Sequence, residues 1–451
     1  MANLKEYKLG NIANIVVSNV DKKTTPNQKT VKLCNFVDVY YNWAITKSNY
    51  DSFMTATASD EEISKFSLKK GQVAFTKDSE TRDDIGIPAY IAEDFKDVVL
   101  GYHTALATPD ENIVTGEYLN AFMHSSYIQK YFELNATGSG MRYTLSQQTL
   151  HDIPILAPDL DAQHKIGSLL SKIDRKISIN REINRNLEEL AKQIYDYWFV
   201  QFDFPNEEGK PYKSSGGKMV YNELLKREIP EGWEVKSICD ILDKYPMTRK
   251  FPTNEYLQTG KYPIIDQDSS SFIAGYTNED DVLKRYPAVL FGDHSTCVKF
   301  VNFEFGRGAD GTQILYSNDE RIKPYYLYLF VKKLQIPNPG YSRHFKYLKE
   351  LSILIPSKKL AEVFEEKICP MYTEKTELDK QITQLSVFRD SLLPLLMNGQ
   401  VTLNSCLSAH GILFFVKFTI WEVKEYVTWM LKCRYYKVFN HNFVNLWTMN
   451  R

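Results

Sequence analysis

Hydrophobic residues recur with a seven-residue period along one long central segment of the chain. Between Leu160 and Phe199, apolar side chains follow each other at alternating steps of four and three residues. This is the spacing of a helix face that packs against another helix. Two polar positions, Asn180 and Asn184, interrupt the stripe. At about 1.5 Å per residue such a helix is roughly 60 Å long, so the pattern predicts a packed helical rod.

A second segment repeats the pattern 198 positions later, and Pro158 then corresponds to Pro356. The apolar stripe keeps its phase in the second copy, which indicates an internal repeat. Pro370 falls inside the second helix, where a missing N–H predicts a kink or opened first turns, and Pro394 predicts a similar break near the end of the helix. The predicted seam between the two helices consists of Ile166, Leu170, Ile173, Ile177, Asn180, Asn184, Leu187, Ile194, Phe364, Ile368, Met371, Leu378, Ile382, Leu385 and Leu392.

The globular segments also repeat, since YKLGNIANI from Tyr7 resembles WEVKSICDI from Trp233 at an offset of 226. Short apolar runs such as GQVAFTK, VVLGYHTALAT, AVLFGD and CVKFVNF predict strands. We therefore predict an α+β protein with two globular domains separated by an antiparallel pair of long helices, related by a pseudo-twofold axis. The predicted order is domain 1 (1–157), first helix (158–200), connector loop (201–230), domain 2 (231–356), second helix (357–401) and an atypical tail (402–451).

The tail departs from the pattern of the two halves. It holds three of the six tryptophans and no proline or aspartate. One hypothesis is a foreign segment, produced by a shifted or rearranged frame, that packs poorly. The alternative is a genuine sheet or helix that completes the first domain. Its most apolar run, GILFFVKFTIW, is too short to span a bilayer.

Composition is that of an ordinary soluble protein, with 43% apolar and 25% charged residues. We expect a cytoplasmic location. The N-terminus lacks an apolar signal region, and we expect no membrane association. The six cysteines are scattered, as expected for free thiols. The net charge of −1 means that any surface for nucleic acid must arise from local clusters of positive charge.

Motifs for catalysis are missing from the sequence. There is no GxxxxGK[ST] phosphate loop, no NPPY or DPPY sequence and no metal-ligand spacing among the eight histidines and six cysteines. A nuclease-like E-x-K at Glu365–Lys367 lies in the heptad helix, where we interpret it as a solvated helix face. We therefore expect a non-catalytic chain without a metal or cofactor of its own.

Candidate DNA contacts are positive and amide side chains in polar loops, because these groups bind phosphates and base edges. The loop TGSGMRYTLSQQ is the preferred one, and GYSRHFK stands at an equivalent place before the second helix. Ordinary solvated charge is the alternative for each residue. The candidates are Lys22, Lys23, Lys29, Lys77, Arg82, Ser139, Arg142, Gln147 and Gln148 in domain 1, and Arg249, Lys250, His294, Lys299, Arg307, Arg343 and His344 in domain 2.

Four stretches carry a family resemblance: LAPDLDAQHKIGSLLSKIDRKI, NRNLEELAKQIYDYWFVQFDFP, IPEGWEV and LSVFRDSLLPLLMNGQV. Together with the repeat, they resemble the specificity subunit of type I restriction–modification systems, over residues 1 to about 402. The resemblance implies two target-recognition domains on a split sequence of double-stranded DNA. It also implies docking of two methyltransferase subunits and a restriction subunit. S-adenosylmethionine, ATP and Mg are then expected only in those partners, whose complex would be an adenine-N6 DNA methyltransferase and ATP-dependent endonuclease.

Several alternatives stay open at this point. The chain could instead be a coiled-coil scaffold with protein-binding end domains, or a self-contained DNA methyltransferase. Asn180 and Asn184 either fix the helix register or bind a partner subunit. The aromatic cluster Tyr195, Tyr197, Trp198 and Phe199 either docks a partner or caps the rod against the connector.

Overall fold

The computed structural model of the chain describes residues 4–399, apart from 141, 246, 310, 335 and 337–342. It divides into two compact units, formed by the described parts of Met1–Asn180 with Lys380–Arg451 and by Arg181–Asp379. Both units mix helices and sheets, as predicted, and long helices are present. The predicted tail at 402–451 lies outside the described residues.

Unit 1 contains short strands and short helices before the first long helix, α7. Its strands are β1 Lys5–Lys8, β2 Ala13–Val17, β3 Lys29–Cys34, β4 Ala44–Ile45, β5 Met54–Ala58, β6 Val73–Thr76, β7 Asp78–Ser79, β8 Pro88–Ile91, β9 Val98–Leu100, β10 Thr104–Pro109, β11 Thr137–Ser139, β12 Arg142–Thr144 and β13 Pro154–Ala157. Its helices are α1 Leu9–Ile12, α2 Phe36–Tyr40, α3 Asp60–Phe66, α4 Gly116–Met123, α5 Ser126–Asn135, α6 Gln147–His151 and α7 Leu160–Tyr195, with a 3-10 turn at Lys47–Ser52.

Unit 2 begins within α7, which continues as a π turn at Asp196–Val200. Its strands are β14 Met219–Asn222, β15 Arg227–Pro230, β16 Glu234–Ser237, β17 Lys250–Phe251, β18 Tyr262–Ile265, β19 Gly275–Thr277, β20 Ala288–Gly292, β21 Val298–Val301, β22 Gly306–Gly308, β23 Thr312–Leu315 and β24 Ser352–Ile355. Its helices are α8 Ile238–Ile241, α9 Pro324–Lys333, α10 Phe345–Glu350 and α11 Lys358–Met397, with a 3-10 turn at Thr253–Glu255. The end of α11 belongs to unit 1.

The sheets of the two units share a local plan. In unit 1 the strand orders are β2-β10-β6-β8-β4, β5-β3-β9, β11-β12-β7 and β1-β13. In unit 2 they are β21-β20-β23, β17-β22-β18-β19, β16-β24 and β14-β15. β6 pairs antiparallel with β10, as β20 does with β23. β3 pairs parallel with β9, as β18 does with β22.

Matching hydrogen bonds confirm the internal repeat at its end. The backbone N–H of Leu9 donates to Ile153 at 2.9 Å, and that of Ile238 donates to Leu351 at 2.8 Å. The hydroxyl of Tyr118 donates to the carbonyl of Leu156 at 2.6 Å. In unit 2, the Tyr326 hydroxyl makes the same bond to the Leu354 carbonyl at 2.7 Å. Because 153 and 351, like 156 and 354, differ by 198, the predicted offset for this part of the repeat is confirmed.

The predicted offset of 226 at the start of the repeat is wrong by three residues. Since Leu9 and Ile238 make equivalent hydrogen bonds, the offset there is 229. Both strand–helix pairs agree, with α1 beginning at Leu9 and α8 at Ile238. Apolar residues recur every three positions along this stretch, so a slip of three still superimposes buried residues on apolar ones.

The predicted connector loop contains regular structure. β14 and β15 pair antiparallel as a hairpin, from Met219 opposite Pro230 to Asn222 opposite Arg227. Ile229 on this hairpin is buried in the core of unit 2. The Gly, Pro and Ser content of the segment marks its first half as irregular, whereas the VYN and REIP stretches have the β-branched and alternating pattern of strands.

Both long helices begin at equivalent capping residues. The Asp159 side chain accepts from the Ala162 N–H at 2.9 Å, and the Ser357 side chain accepts from the Leu360 N–H at 3.4 Å. Side-chain acceptors at these positions satisfy N–H groups that have no partner within the helix. α11 runs from Lys358 to Met397 through both prolines, so its first turns are not opened as predicted.

The residues of the predicted seam are buried or half-buried in both helices. In unit 1, Leu170 and Ile177 pack in the same core as Leu392 and Leu396 of α11. In unit 2, the buried side chains of Tyr195, Trp198 and Phe199 form a core with Phe364 and Ile368. Three members of the predicted aromatic docking cluster are therefore core residues, and Tyr197 alone of the four is exposed.

The two seam asparagines each bond to α11 within their own unit. Asn180 Nδ2 donates to Gln381 Oε1 at 3.3 Å in unit 1, and Asn184 Nδ2 donates to Asp379 Oδ1 at 2.6 Å in unit 2. Asn180 is fully buried and Asn184 is 6% exposed. These contacts favour a role in helix register over contact with an outside partner.

Glu365, the acid of the E-x-K sequence, does not lie on a solvated helix face. Its side chain is half-buried, and its Oε2 accepts from the backbone N–H of Tyr325 at 3.2 Å. Burial raises the pKa of Glu365 to about 7, although the Tyr325 bond and the charge of Lys323 act in the opposite direction. We correct the interpretation of this residue accordingly, because α9 packs against α11 here and excludes water.

Candidate nucleic-acid interface

Charged and polar side chains meet at the end of β6 in unit 1. Lys77 Nζ donates to Thr144 Oγ1 on β12 at 2.8 Å. Asp78 Oδ2 lies 2.5 Å from Nδ1 of His103, which precedes β10. Arg142 Nη2 lies 3.0 Å from the same ring nitrogen. We call Lys77, Asp78, His103, Arg142 and Thr144 the strand-end site of unit 1.

His103 Nδ1 cannot bond fully to both neighbours at once. A guanidinium only donates, so the Arg142 contact requires a lone pair on Nδ1. The Asp78 carboxylate only accepts, so its contact requires a proton on the same nitrogen. The tautomer or charge of His103 therefore decides which contact is a hydrogen bond. Arg142 also lies 3.7 Å from Asp78, and its side chain is 63% exposed.

Asp78 carries a negative charge at neutral pH. Its burial raises the pKa, but hydrogen bonds from Thr144 and His103 and the charge of Lys77 outweigh burial and leave the pKa below its usual range. One carboxylate thus balances one of the two cations, Lys77 and Arg142. The strand-end site keeps an excess positive charge that a phosphate or a guanine edge can use.

Arg82 supplies a further exposed cation beside this site. Its guanidinium lies over the ring of Tyr143, 5.0 Å from the centroid, and Tyr143 is the β12 neighbour of Arg142. Three sequence-predicted residues, Lys77, Arg82 and Arg142, are therefore brought together although they span 66 positions of the chain. Stacking on the ring orients the guanidinium while leaving its N–H groups open to solvent.

The other unit 1 candidates lie apart from the strand-end site. Lys29 pairs with Asp60 at 2.6 Å, and Lys23 pairs with Asp21 at 3.3 Å. Among the described residues, neither these two nor the exposed Lys22 bond to the strand-end site. Exposed Gln147 and Gln148 start α6, and the described structure gives only the backbone of the remaining candidate, Ser139, in β11.

Unit 2 builds the same backbone arrangement at the end of β20. The backbone N–H of Asp293 donates to the Gly311 carbonyl at 2.7 Å. In unit 1 the backbone N–H of Lys77 donates in the same way to the His103 carbonyl at 2.9 Å. The His344 N–H donates to the Asp293 carbonyl at 2.8 Å, as Leu145 does to Lys77 at 2.9 Å. We call Asp293, His294, Gly311 and their neighbour Gln267 the strand-end site of unit 2.

A left-handed residue marks the same position in both sites. His103 has φ of 70° and Gly311 has φ of 79°. In unit 2 a Cβ at Gly311 would lie 2.6 Å from Gln267 Nε2 and 2.7 Å from the His294 ring, so a side chain there would displace both groups, and the positive φ itself favours glycine. The Gln267 Oε1 also accepts from the His294 N–H at 3.0 Å. The side chains differ between the units, while the backbone scaffold is shared.

Three unit 2 candidates are buried, and we correct their assignment as DNA contacts. Arg307 Nε donates to the Thr312 carbonyl at 2.9 Å, and Lys299 Nζ donates to the Ser271 carbonyl at 2.8 Å. Burial lowers the pKa of Lys299. The His344 side chain is fully buried. Side chains that bond to interior carbonyls or lie in the core are not presented to a DNA groove.

The remaining unit 2 candidates are at the surface. His294 is exposed within the strand-end site, and Lys250 and Arg343 are exposed elsewhere in the unit. Arg249 forms ion pairs with Glu255 and Glu279 and lies over the Phe251 ring. Two carboxylates thus compete with DNA for its charge, which makes it the weakest of the four.

Asp78, His103, Thr144 and Gln267 are not among the residues predicted from the sequence. An acidic residue such as Asp78 lies outside the pattern of positive and amide side chains that indicates DNA contacts. The adjacency of Asp78 to Lys77 at a strand end was the available signal. For His103, which lies 25 positions away, only the pairing of β6 with β10 supplies the contact.

The family of the chain follows from comparison with known proteins. A model of the type I restriction modification DNA specificity domain matches residues 1–189 and 230–384. The chain belongs to this family. The match falls once in each half of the chain, in agreement with the repeat. As a member of the specificity family, the chain is assigned to DNA recognition and not to catalysis, in a system that includes methyltransferase and restriction subunits.

Two curated relatives of this specificity chain carry the same designation. The type I restriction enzyme MjaIX specificity subunit of Methanocaldococcus jannaschii is 27% identical over 318 residues, which cover 65% of this chain and 70% of the relative. The type I restriction enzyme HindI specificity subunit of Haemophilus influenzae is 23% identical, with 89% and 100% covered. The similarity therefore extends over most of the chain.

A solved structure supports the fold of this specificity chain. The S subunit of a type I restriction–modification system from M. genitalium matches with a TM-score of 0.56 and 15% identity, covering 88% of this chain and 96% of that one. Within residues 4–399, no described helix is long and apolar enough to cross a membrane. The same described residues hold no group of three or more His, Cys, Asp or Glu placed for a metal ion.

Proposed function

We propose that the chain recognises a bipartite DNA target, with each unit binding one half. The observation that carries the proposal is the pair of strand-end sites, which share a backbone scaffold but differ in side chains. Unit 1 presents Lys77, Asp78, His103 and Arg142. Unit 2 places His294 and Gln267 at the same scaffold, while its Asp293 side chain is buried and accepts from the Phe345 N–H at 2.8 Å. Two copies of one scaffold with different polar groups suit two different half-site sequences.

We further propose that the long helices run antiparallel and set the spacing between the half-sites. Contacts within the units support this direction. Asp174 of α7 meets Arg389 of α11 at 3.4 Å, and Asn180 meets Gln381 at 3.3 Å, both in unit 1. Within unit 2, Asn184 meets Asp379. Residues later in α7 therefore contact residues earlier in α11, as expected for an antiparallel pair.

Docking of two methyltransferase subunits and a restriction subunit completes the proposal, with S-adenosylmethionine, ATP and Mg bound by those partners. A stripe of exposed apolar residues in unit 2 supports docking along α7. Ile183, Leu190 and Tyr197 follow each other at intervals of seven and are 37%, 44% and 40% exposed. Such a stripe on a helix already packed on its other face fits a partner helix.

The experiment is a footprint on DNA with the chain co-expressed with its methyltransferase partner. The methylated motif, obtained by sequencing the host genome for modified adenine, supplies the duplex. Protection of two separated half-sites is expected. Exchange of residues 1–157 for those of another family member should change one half-site and keep the other. Unchanged half-sites after the exchange would refute the modular assignment.

Two controls test the alternative functions directly. The chain alone should not bind S-adenosylmethionine, as measured by calorimetry, whereas a self-contained methyltransferase would bind it. A protein scaffold would bind its partners without protecting DNA. Footprinting with and without the partner subunits separates that case from DNA recognition.

A further inference from the structure

A loop in unit 2 presents two large apolar side chains to solvent. Phe272 is 46% exposed and Ile273 is 37% exposed, between β18 and β19. The Phe272 ring has one aromatic neighbour, Phe303, at 6.3 Å in an edge-on arrangement, among the described contacts. We call these two residues the apolar tip. Adjacent apolar side chains exposed on a polar loop are a feature of interaction sites.

The loop beneath the apolar tip is firmly anchored. The buried Lys299 donates to the Ser271 carbonyl at 2.8 Å and lies 3.5 Å from that of Phe272. The Asp268 side chain accepts from the Ser270 N–H at 2.9 Å and from the Ser270 hydroxyl at 2.6 Å. These hydrogen bonds at the root of the loop therefore hold the apolar tip in its exposed position. A preorganised tip loses less entropy when a ligand covers it.

The loop starts beside the strand-end site of unit 2. Gln267, one residue before Asp268, bonds through Oε1 to the His294 N–H at 3.0 Å. Its backbone carbonyl accepts from the Ser295 hydroxyl at 2.7 Å. A ligand bound at His294 and Gln267 thus lies at the foot of the loop that carries the tip.

Unit 1 has exposed apolar residues on the equivalent insertion. In unit 1, β3 pairs parallel with β9, the strand just before His103. In unit 2, β18 pairs parallel with β22, the strand just before Gly311. The segments that follow β3 and β18 are therefore equivalent. The segment after β3 forms α2, started by a capping box at Asn35, and exposes Val37 at 54% and Tyr41 at 73%. The sequences of the two insertions differ completely, yet both expose apolar side chains. Recurrence at one place of the fold points to a shared use.

We propose that Phe272 and Ile273 contact the bases of the DNA half-site bound by unit 2. This inference rests on the proposed function. Polar groups of the strand-end site would bind base edges or phosphates, while the tip meets an apolar part of the same bases. Two such parts exist in duplex DNA: the C5-methyl group of thymine and the face of a partly unstacked base.

The test compares the full-length chain with its Phe272→Ala/Ile273→Ala variant, each co-expressed with the methyltransferase partner. The probe is a duplex of the methylated motif. Because loss of one base contact weakens cognate binding roughly tenfold, we expect at least that increase in Kd for the cognate duplex. Binding to a random duplex of equal length should change less than about twofold, since phosphate contacts dominate it. The matched control is Leu224→Ala, which removes a side chain that is 75% exposed on the β14–β15 hairpin.

Two further probes identify the apolar partner. Replacing each thymine of the half-site by deoxyuridine should weaken the unaltered chain, but not the variant, if the tip contacts a methyl group. A rise of 2-aminopurine fluorescence with the unaltered chain alone should appear if the tip separates bases. Either result supports the proposal.

The outcomes also separate this inference from the proposed function. Equal cognate affinity of the variant and the unaltered chain, with both half-sites protected, overturns the inference alone. An unaltered chain that protects neither half-site overturns both. The variant's melting temperature must match that of the unaltered chain, and Phe272→Tyr/Ile273→Val, which keeps apolar bulk, should restore binding.

Discussion

Asp78 orders the strand-end site of unit 1 by drawing Lys77, His103 and Arg142 to a single carboxylate. Charge-assisted contacts of this kind fix long cationic side chains that would otherwise sample many rotamers. The carboxylate also cancels part of the positive charge. Removing the cation and removing the acid should therefore have opposite effects on DNA binding.

Arg142→Ala should weaken binding of the cognate duplex by roughly tenfold, because an exposed guanidinium positioned for base or phosphate contact is lost. The measurement is a titration of labelled duplex by the chain with its methyltransferase partner. Lys130→Ala is the matched control, since this exposed lysine pairs with Glu133 on α5. Equal weakening by both variants would show that only general surface charge matters.

Asp78→Asn should strengthen binding to random DNA and reduce discrimination between cognate and random duplexes. The neutral amide leaves the charges of Lys77 and Arg142 unbalanced while keeping its size. The plot of log K against log salt should steepen by about one charge. A variant with an unchanged slope and unchanged discrimination would contradict the assignment of Asp78.

We expect Glu365 to make unit 2 less stable at alkaline pH than at acidic pH. Burial raises its folded pKa to about 7, above the usual value of 4.5. A raised folded pKa means that the folded state favours the protonated acid. The contribution of Glu365 to the free energy of unfolding is therefore full below about pH 4.5 and is lost as the pH rises through 7. At pH 8.5 the free energy of unfolding of Glu365→Gln should therefore exceed that of the unaltered chain by on the order of 2 kcal/mol, and the variant should melt at a higher temperature. At pH 4.5 the two proteins should melt at about the same temperature. Equal pH profiles of the two melting curves would refute this.

At the scale of elements, the two long helices combine apolar layers with one polar layer. Ile177 is fully buried in the unit 1 core, whereas Asn180, one turn later, is equally buried and donates across to α11. A buried amide favours one register because a shifted partner leaves it unbonded. Stability and register are therefore served by different residues of one helix.

Ile177→Ala and Asn180→Leu should shift the melting temperature in opposite directions. The first leaves a cavity and should cost about 2–5 kcal/mol. The second replaces a buried amide by an apolar side chain and should stabilise by roughly 1 kcal/mol while loosening the register. Thermal melts check the stability change, and a disulfide introduced across α7 and α11 reports the register. A stabilised Asn180→Leu variant with fully native cross-linking would remove the register role.

At the scale of the whole molecule, the proposed bipartite function makes the helices a spacer. Deleting seven residues from α7 and the matching seven from α11 keeps the phase of the seam. The half-sites should then approach each other by at most about 3 base pairs, given about 1.5 Å per helical residue and 3.4 Å per base pair. Sequencing of methylated adenines in cells that carry the variant measures the new spacer. An unchanged spacer with intact half-sites would mean that the helices do not set the distance.

The internal repeat could be predicted from the sequence, whereas the composition of the strand-end sites could not. The heptad positions and the 198-residue offset followed from periodicity, because burial of one helix face leaves a repeating pattern in the chain. The strands around Phe75 and Phe291 followed from short apolar runs, which are typical of buried strands. The 226-residue offset failed because isoleucines spaced by three match in two alignments. The hairpin at 219–230 was missed because turn residues around it dominated its composition.

The sequence by itself determined the duplicated architecture and the family, because the first rests on a local hydrophobic pattern and the second on sequence motifs shared with relatives. Only the tertiary structure decided which polar residues meet. Lys299 and Arg307 looked like free cations, yet strand pairing turns them towards interior carbonyls. Asp78 and His103 become neighbours only when β6 pairs with β10. Periodicity records how deep a residue lies, whereas a binding site depends on which strands are adjacent, and that adjacency has no local signal.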